Sequence, residues 1–263
     1  MPPTPVALPP ALPSELLTYI LTHQTYPTTV IICQPRSTFL FSLLTSVPQT
    51  LQAQPLPPPE DGFSHPQAEH TSEPKPLHSL LIPTLHQVAT SRHIKLVFIP
   101  TLSHFRAYLA VFSSSEAVGK GPPEQKFDRP GKKMPLLVVY GLLELHRDTS
   151  EWSAQGLGNS TAGLVEAGWR TGRKVVVLEE RGVNDGLSDI GEKERRNNRS
   201  NFWEEGVPML NGSVRRAGLE SEEGGWSGRT VEVGRILARW FKFGKGVGEM
   251  KRRSDAQGVG DGA

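Results

Sequence analysis

The stretch Pro135–Arg181, PLLVVYGLLELHRDTSEWSAQGLGNSTAGLVEAGWRTGRKVVVLEER, constrains the fold more than any other part of the chain. Two short, uninterrupted apolar runs, Leu136–Tyr140 and Lys174–Leu178, enclose a polar loop and a helical stretch within Ser153–Thr171. Runs of this length without alternation read as strands covered on both faces, and parallel strands joined through a helix supply that cover. Thr28–Cys33 and Ile94–Ile99 repeat the pattern. The first is followed by a helix over Ser37–Ser46. The second leads to Thr101, a cap for a helix with Leu102, Phe105, Leu109 and Phe112 on one face. A further helix begins near Ser14, where Leu16, Leu17, Ile20 and Leu21 recur at helical spacing. Short strand candidates at Pro208–Arg216 and Thr230–Phe243 have no helix between them and predict an antiparallel extension at one edge. The fold class is α/β: a parallel-rich sheet flanked by helices, with closing antiparallel strands and long disordered insertions.

Composition sets the domain boundaries. With 263 residues, 26 Gly, 23 Pro and only 37% hydrophobic residues, the chain reads as one core diluted by loops. Residues 1–13 are a Pro-rich disordered terminus, and residues 14–243 form one domain. Flexible insertions fall near 47–76, 113–133 and 181–206, and residues 244–263 are a Gly-rich basic tail. Cys33 is the single cysteine, so no disulfide can form within the chain, which favours a reducing compartment. The N-terminal residues do not have the pattern of a secretory signal, and no apolar run approaches the ~20 residues that span a bilayer. A net charge of +2 does not by itself mark a nucleic-acid binder.

Such sheets bind nucleotides at the carboxyl ends of their strands, and here the required residues are absent. A phosphate loop needs glycines for backbone approach, a Lys for phosphate charge and a Ser or Thr for magnesium. After Thr28–Cys33 the chain reads CQPRSTFLF, with no Gly and no Lys. Arg36 with Ser37 or Thr38 at a helix start can hold an anion, but helix capping explains the hydroxyls more simply. Tyr140 stands where a magnesium-holding acid belongs. Glu144, His146 and Asp148 alternate in the next loop and read as solvated, because a metal site needs three or four convergent ligands. Glu179 and Glu180 end the next strand and read as solvated too. The run GLGNSTAG lacks the third Gly of a dinucleotide fingerprint, and no hydrolase elbow is present.

The order LLVVY, LHRDTSEWSAQGL, helix, KVVVLEER resembles the core of RecA-like recombinases, and VPMLNGSVRRAG with GRTVEVGRILARWFKF resembles their closing strands. The resemblance spans about Ser14 to Phe243 and rests on order and texture. Arg36, Ser37, Thr38 and Tyr140 then mark a degenerate nucleotide site, which implies a non-catalytic member without cofactor or metal. Shu-type mediators of homologous recombination are members of this kind. The resemblance implies an interaction subunit in recombination or DNA repair, in the nucleus or alternatively the cytoplasm. Its partner would be a RecA-like paralogue or mediator subunit, with DNA as a second ligand and no membrane. The alternatives are an Elongator-like accessory subunit in tRNA modification and a weak, atypical nucleotidase.

Residues 181–206 occupy the position of a DNA-binding loop in that family. They hold five basic against six acidic side chains, and the stretch from Val207 to Ala263 holds ten against seven. Arg195, Arg196, Arg199, Arg215 and Arg216 are the candidate DNA contacts. Phe202 and Trp203 are placed to stack on bases or to pack on protein. Trp203 and Trp226 lie in Gly- and Glu-rich stretches with little to bury them, and are the candidate partner contacts.

Overall fold

A computed structural model describes residues 3–23, 26–52, 78, 80–82, 84–113, 134–181, 202–210 and 229–244. Its strands are β1 (Val6–Ala7), β2 (Thr28–Ile32), β3 (Ile94–Phe98), β4 (Leu136–Tyr140), β5 (Lys174–Leu178), β6 (Gly206–Pro208), β7 (Thr230–Glu232) and β8 (Lys242–Phe243). Its helices are α1 (Pro13–His23), α2 (Arg36–Gln52), α3 (Leu85–Ser91), α4 (Leu102–Val111), α5 (Ala154–Arg170) and α6 (Val233–Leu237). Six strands form one all-parallel sheet in the order β3-β2-β4-β5-β1-β8, and β6 and β7 form a separate antiparallel pair.

The sheet forms where the sequence is most apolar. Every residue of β2 and β4 is buried, and neither strand carries a charge. One face is covered by α1 and α2 through Leu16, Tyr19, Ile20 and Phe39. The other is covered by α4, α5 and α6 through Phe105, Leu109, Leu157, Leu164, Val165 and Leu237. Thr101 caps α4, accepting from the His104 N–H at 3.3 Å, and Ser153 caps α5, accepting from the Gly156 N–H at 3.0 Å. The glycines of α5 weaken a helix in isolation. Gly168 is nevertheless needed, because a Cβ there would lie 2.3 Å from Val175 Cγ2 of β5.

Several boundaries move. Residues 3–13 are not a disordered terminus: β1 lies between β5 and β8, with Ala7, Leu8, Ala11 and Leu12 buried. The prolines bracket the strand instead of interrupting it. Pro13 opens α1, where its missing N–H costs nothing, and Glu15 accepts from the Leu12 N–H at 2.9 Å as half a capping box. The insertion near 47–76 begins later, because α2 runs to Gln52. The insertion near 181–206 ends earlier, because residues 202–204 form a helical turn before β6. Gly244 is hydrogen-bonded to β1, its N–H donating to Ala7 O at 2.8 Å, so the tail begins no earlier than residue 245. The rest of those insertions, most of residues 113–133 and residues 245–263 lie outside the described residues. The closing strands do not extend the main sheet antiparallel. β6 and β7 pair with each other, and β8 joins β1 in parallel. β3 is not buried on both faces either. It is an edge strand with Lys95 and Leu96 exposed.

Candidate functional site

In open parallel sheets ligands gather at the carboxyl ends of the strands, where neighbouring strands send their chains to opposite faces. This sheet has two such places. β2 leads to α2 on one face and its neighbour β4 to α5 on the other. β1 leads to α1, while α6, which follows its neighbour β5 in the chain, packs with α5 on the other face. The segments meeting there are Leu8–Leu12, Cys33–Pro35, the chain from Gly141, and Glu179–Arg181.

Backbone pairing continues past the strand ends and draws these segments together. Leu8 N–H donates to Val177 O at 2.8 Å, Ala11 N–H to Glu179 O at 3.0 Å, and Arg181 N–H to Ala11 O at 3.1 Å. The Tyr140 hydroxyl donates to the same Ala11 oxygen at 2.9 Å. Tyr140 is fully buried, and burial together with the nearby Glu180 and Glu179 carboxyls holds its phenol protonated well above the usual range. Phe39 packs edge-on against both Tyr140 and Phe98, with ring centroids 6.1 and 5.9 Å apart. The position expected to hold magnesium is therefore a structural post beneath the β1–α1 loop. Arg36, Ser37 and Thr38 stand at the first turn of α2 at this same end, all exposed. The β1–α1 loop, Leu8-Pro9-Pro10-Ala11-Leu12, is a second strand-to-helix crossover, and it too has neither Gly nor Lys.

Side chains close the remaining gaps. Gln34 Nε2 donates to Glu180 Oε2 at 3.1 Å, and the Ser42 hydroxyl donates to Glu180 Oε1. Arg181 Nη2 pairs with Glu15 Oε1 at 2.9 Å. Glu179 is not solvated as the sequence predicts. It is buried on the α5 face, where the Leu143 N–H donates to its Oε1 at 3.2 Å. Burial pushes its carboxyl up to about 8, the Glu144 charge adding to the rise, while the Leu143 N–H and Arg147 oppose it. Cys33 is buried two strands away, at the end of β2. Burial, then the Glu179 charge, pushes its thiol well up, so it is no activated nucleophile. Between them Gly141, at φ +79°, makes the turn that drops Leu142 and Leu143 into the core.

The loop after β4 also divides differently from its sequence reading. Glu144 and Asp148 are exposed, but His146 is fully buried. One ring nitrogen of His146 meets Leu142 O at 3.0 Å and the other meets Ser160 Oγ at 2.9 Å, and burial lowers its pKa. Ser160 Oγ accepts from Arg106 Nε at 3.2 Å, and Arg106 pairs with Glu151 at 2.8 Å. These four side chains tie α4, the loop and α5 together. Among the described residues no group of three His, Cys, Asp or Glu is placed to hold a metal, and no helix is long and apolar enough to cross a membrane.

Of the candidate contacts, Arg195, Arg196, Arg199, Arg215, Arg216 and Trp226 lie outside the described residues. Trp203 is described, and it is half-buried. It packs against the core and stands edge-on to Phe243 at 5.7 Å. The glycines and glutamates around it do not leave it in water, because the helical turn that carries it folds back onto α6. Comparison with protein-family models and with characterised proteins gives no match.

Proposed function

We propose that the chain is a non-catalytic RecA-like interaction subunit that serves homologous recombination or DNA repair through a protein partner, with DNA as a second ligand. The observation that carries the non-catalytic part is the Tyr140 hydroxyl on Ala11 O. It ties the end of β4 to the β1–α1 loop across the place where a nucleotide's phosphates and metal would lie. In the same cluster Glu15 already pairs with Arg181, and Glu180 accepts from Gln34 and Ser42, so Arg181 is not left free for a phosphate. The recombination assignment draws on the order of strands and loops in the sequence. Calorimetric titration with magnesium-ATP is expected to give no saturable heat. A micromolar, magnesium-dependent affinity would overturn the reading and restore the nucleotidase alternative. Identification of the proteins that co-purify with the full chain separates a recombination mediator from an Elongator-like subunit.

A further inference from the structure

Among the described residues the main sheet has two unpaired edges, and they are unequal. β8 offers two residues, whereas β3 offers five, Ile94–Phe98, without proline. On its inner side β3 is bonded to β2: Ile99 N–H donates to Ile32 O at 2.8 Å, and His93 O accepts from the Thr28 N–H at 3.4 Å. In a parallel ladder the residues that bond a neighbour recur every second position. The odd-numbered residues of β3 therefore face β2, and Ile94, Leu96 and Phe98 turn their backbone N–H and C=O groups outward. Ile94 and Phe98 pack with the core on the α1–α2 face, and Leu96, on that same face, is 42% exposed.

Edges of this length are usually blunted by a bulge, a proline or inward-pointing charge. β3 carries one charge, Lys95, which lies on the opposite face with its ammonium 5.9 Å from the Tyr108 ring centre. The segment leading into β3 is apolar on its outer side as well. Leu81, Ile82, Leu85 and Val88, in α3 and the turn before it, are exposed, Leu85 to 90%. Eight of the thirteen exposed large hydrophobic residues among those described belong to α2, α3, the turn before α3, and β3. The apolar surface is thus concentrated on the elements around one edge.

We infer that two copies of this chain join edge to edge through β3, antiparallel about a two-fold axis at Leu96, making one continuous sheet. The occupant is a second copy because the edge is self-complementary. In this register Leu96 faces the second copy's Leu96, and Ile94 faces its Phe98. All three residues have outward backbone groups, so every facing pair exchanges both N–H···O bonds. Lys95 falls opposite the second copy's Val97, so like charges are not apposed. The axis runs perpendicular to the sheet, which brings both α3 segments to the same side, flanking the axis. Specific dimers bury roughly 800 Å² on each partner. The five-residue strand alone does not supply that area, and the four exposed aliphatic side chains of the segment leading into it, Leu81, Ile82, Leu85 and Val88, are the residues available to complete the contact.

Sedimentation equilibrium of the full chain is expected to give twice the 28.9 kDa chain mass. Leu96→Pro removes an outward N–H that is not used in the pairing with β2. Leu85→Glu places a charge on the exposed aliphatic flank. Each is expected to weaken the dimer at least about tenfold while cooperative melting is retained. A wild-type chain that stays monomeric at its highest soluble concentration overturns the inference; this would be the result if another protein or another part of the chain covers the edge. So does a dimer that persists in folded Leu96→Pro or, should that variant fail to fold, in Leu85→Glu.

Discussion

Glu179 is a carboxyl kept in the core against the backbone N–H groups of Leu143 and Leu142, and its energetics depend on pH. Its folded-state value of about 8 lies above the ordinary 4.5, so between those values the folded chain binds a proton that the unfolded chain has released. Stability must then fall as pH rises from about 4.5 to about 8, by at most about 1.4 kcal/mol per pH unit from this group, and level off above. Glu179→Gln keeps the shape of the protonated acid and an acceptor for Leu143. Its stability relative to wild type is expected to grow steadily from pH 5 to pH 8.5 in denaturant melts. A difference that does not change with pH would show that Glu179 titrates normally and is not held neutral by burial. The sequence displayed Glu179 and Glu180 as a solvated pair because adjacent acids at a strand end look alike. Only the strand's alternation separates them: Glu179 falls on the α5 face under Leu143, and Glu180 falls toward α2 and Ser42. His146 was hidden for a related reason, since nothing local announces that Ser160, fourteen residues on, supplies its second hydrogen bond.

At the level of elements, the segment around β6 and α6 is held by a few identifiable contacts. Arg147 makes a two-pronged pair with Glu205 at 3.2 and 2.6 Å and lies over the Trp152 ring at 5.1 Å. Val207 is fully buried, and Trp203 fits so closely on α6 that a Cβ at Gly234 would meet its carbonyl oxygen at 2.8 Å. Trp203→Ala should therefore cost about 2–3 kcal/mol in chemical denaturation, somewhat less than a fully buried aromatic. A change below about 0.5 kcal/mol, as for an ordinary surface site, would return Trp203 to the surface role its neighbours in sequence suggest. The four strands β2 to β5 and the cap Thr101 were legible, because uninterrupted apolar runs and local hydroxyl-to-N–H geometry are properties of short stretches. β1 was not, and β8 was not separated from β7 within the candidate Thr230–Phe243: each is two residues long, and their pairing is decided by partners more than 160 residues away. For the same reason the edge position of β3 could not be told from its composition, which matches that of a central strand.

For the whole molecule, the placement of β1 means that the chain closes on its own beginning. β1 separates β5 from β8, and Lys242 N–H and Gly244 N–H donate to Pro5 O at 3.0 Å and Ala7 O at 2.8 Å. Without the first twelve residues β8 and β5 both lose β1, the strand between them, and Tyr140 and Arg181 both lose Ala11 O. Ala7, Leu8, Ala11 and Leu12 leave the core together. Burying one leucine is worth about 1.5–3 kcal/mol, and a domain's entire stability is commonly about 5–15 kcal/mol. Deleting residues 1–12 is therefore expected to abolish cooperative thermal unfolding or to lower the midpoint drastically. Leu8→Asp in the full chain, which leaves the peptide pairing possible but puts a charge in the core beside Val176 and Leu178, should destabilise in the same direction by several kcal/mol. A truncated chain that melts like wild type would mean that β1 is dispensable and that the sheet ends at β5.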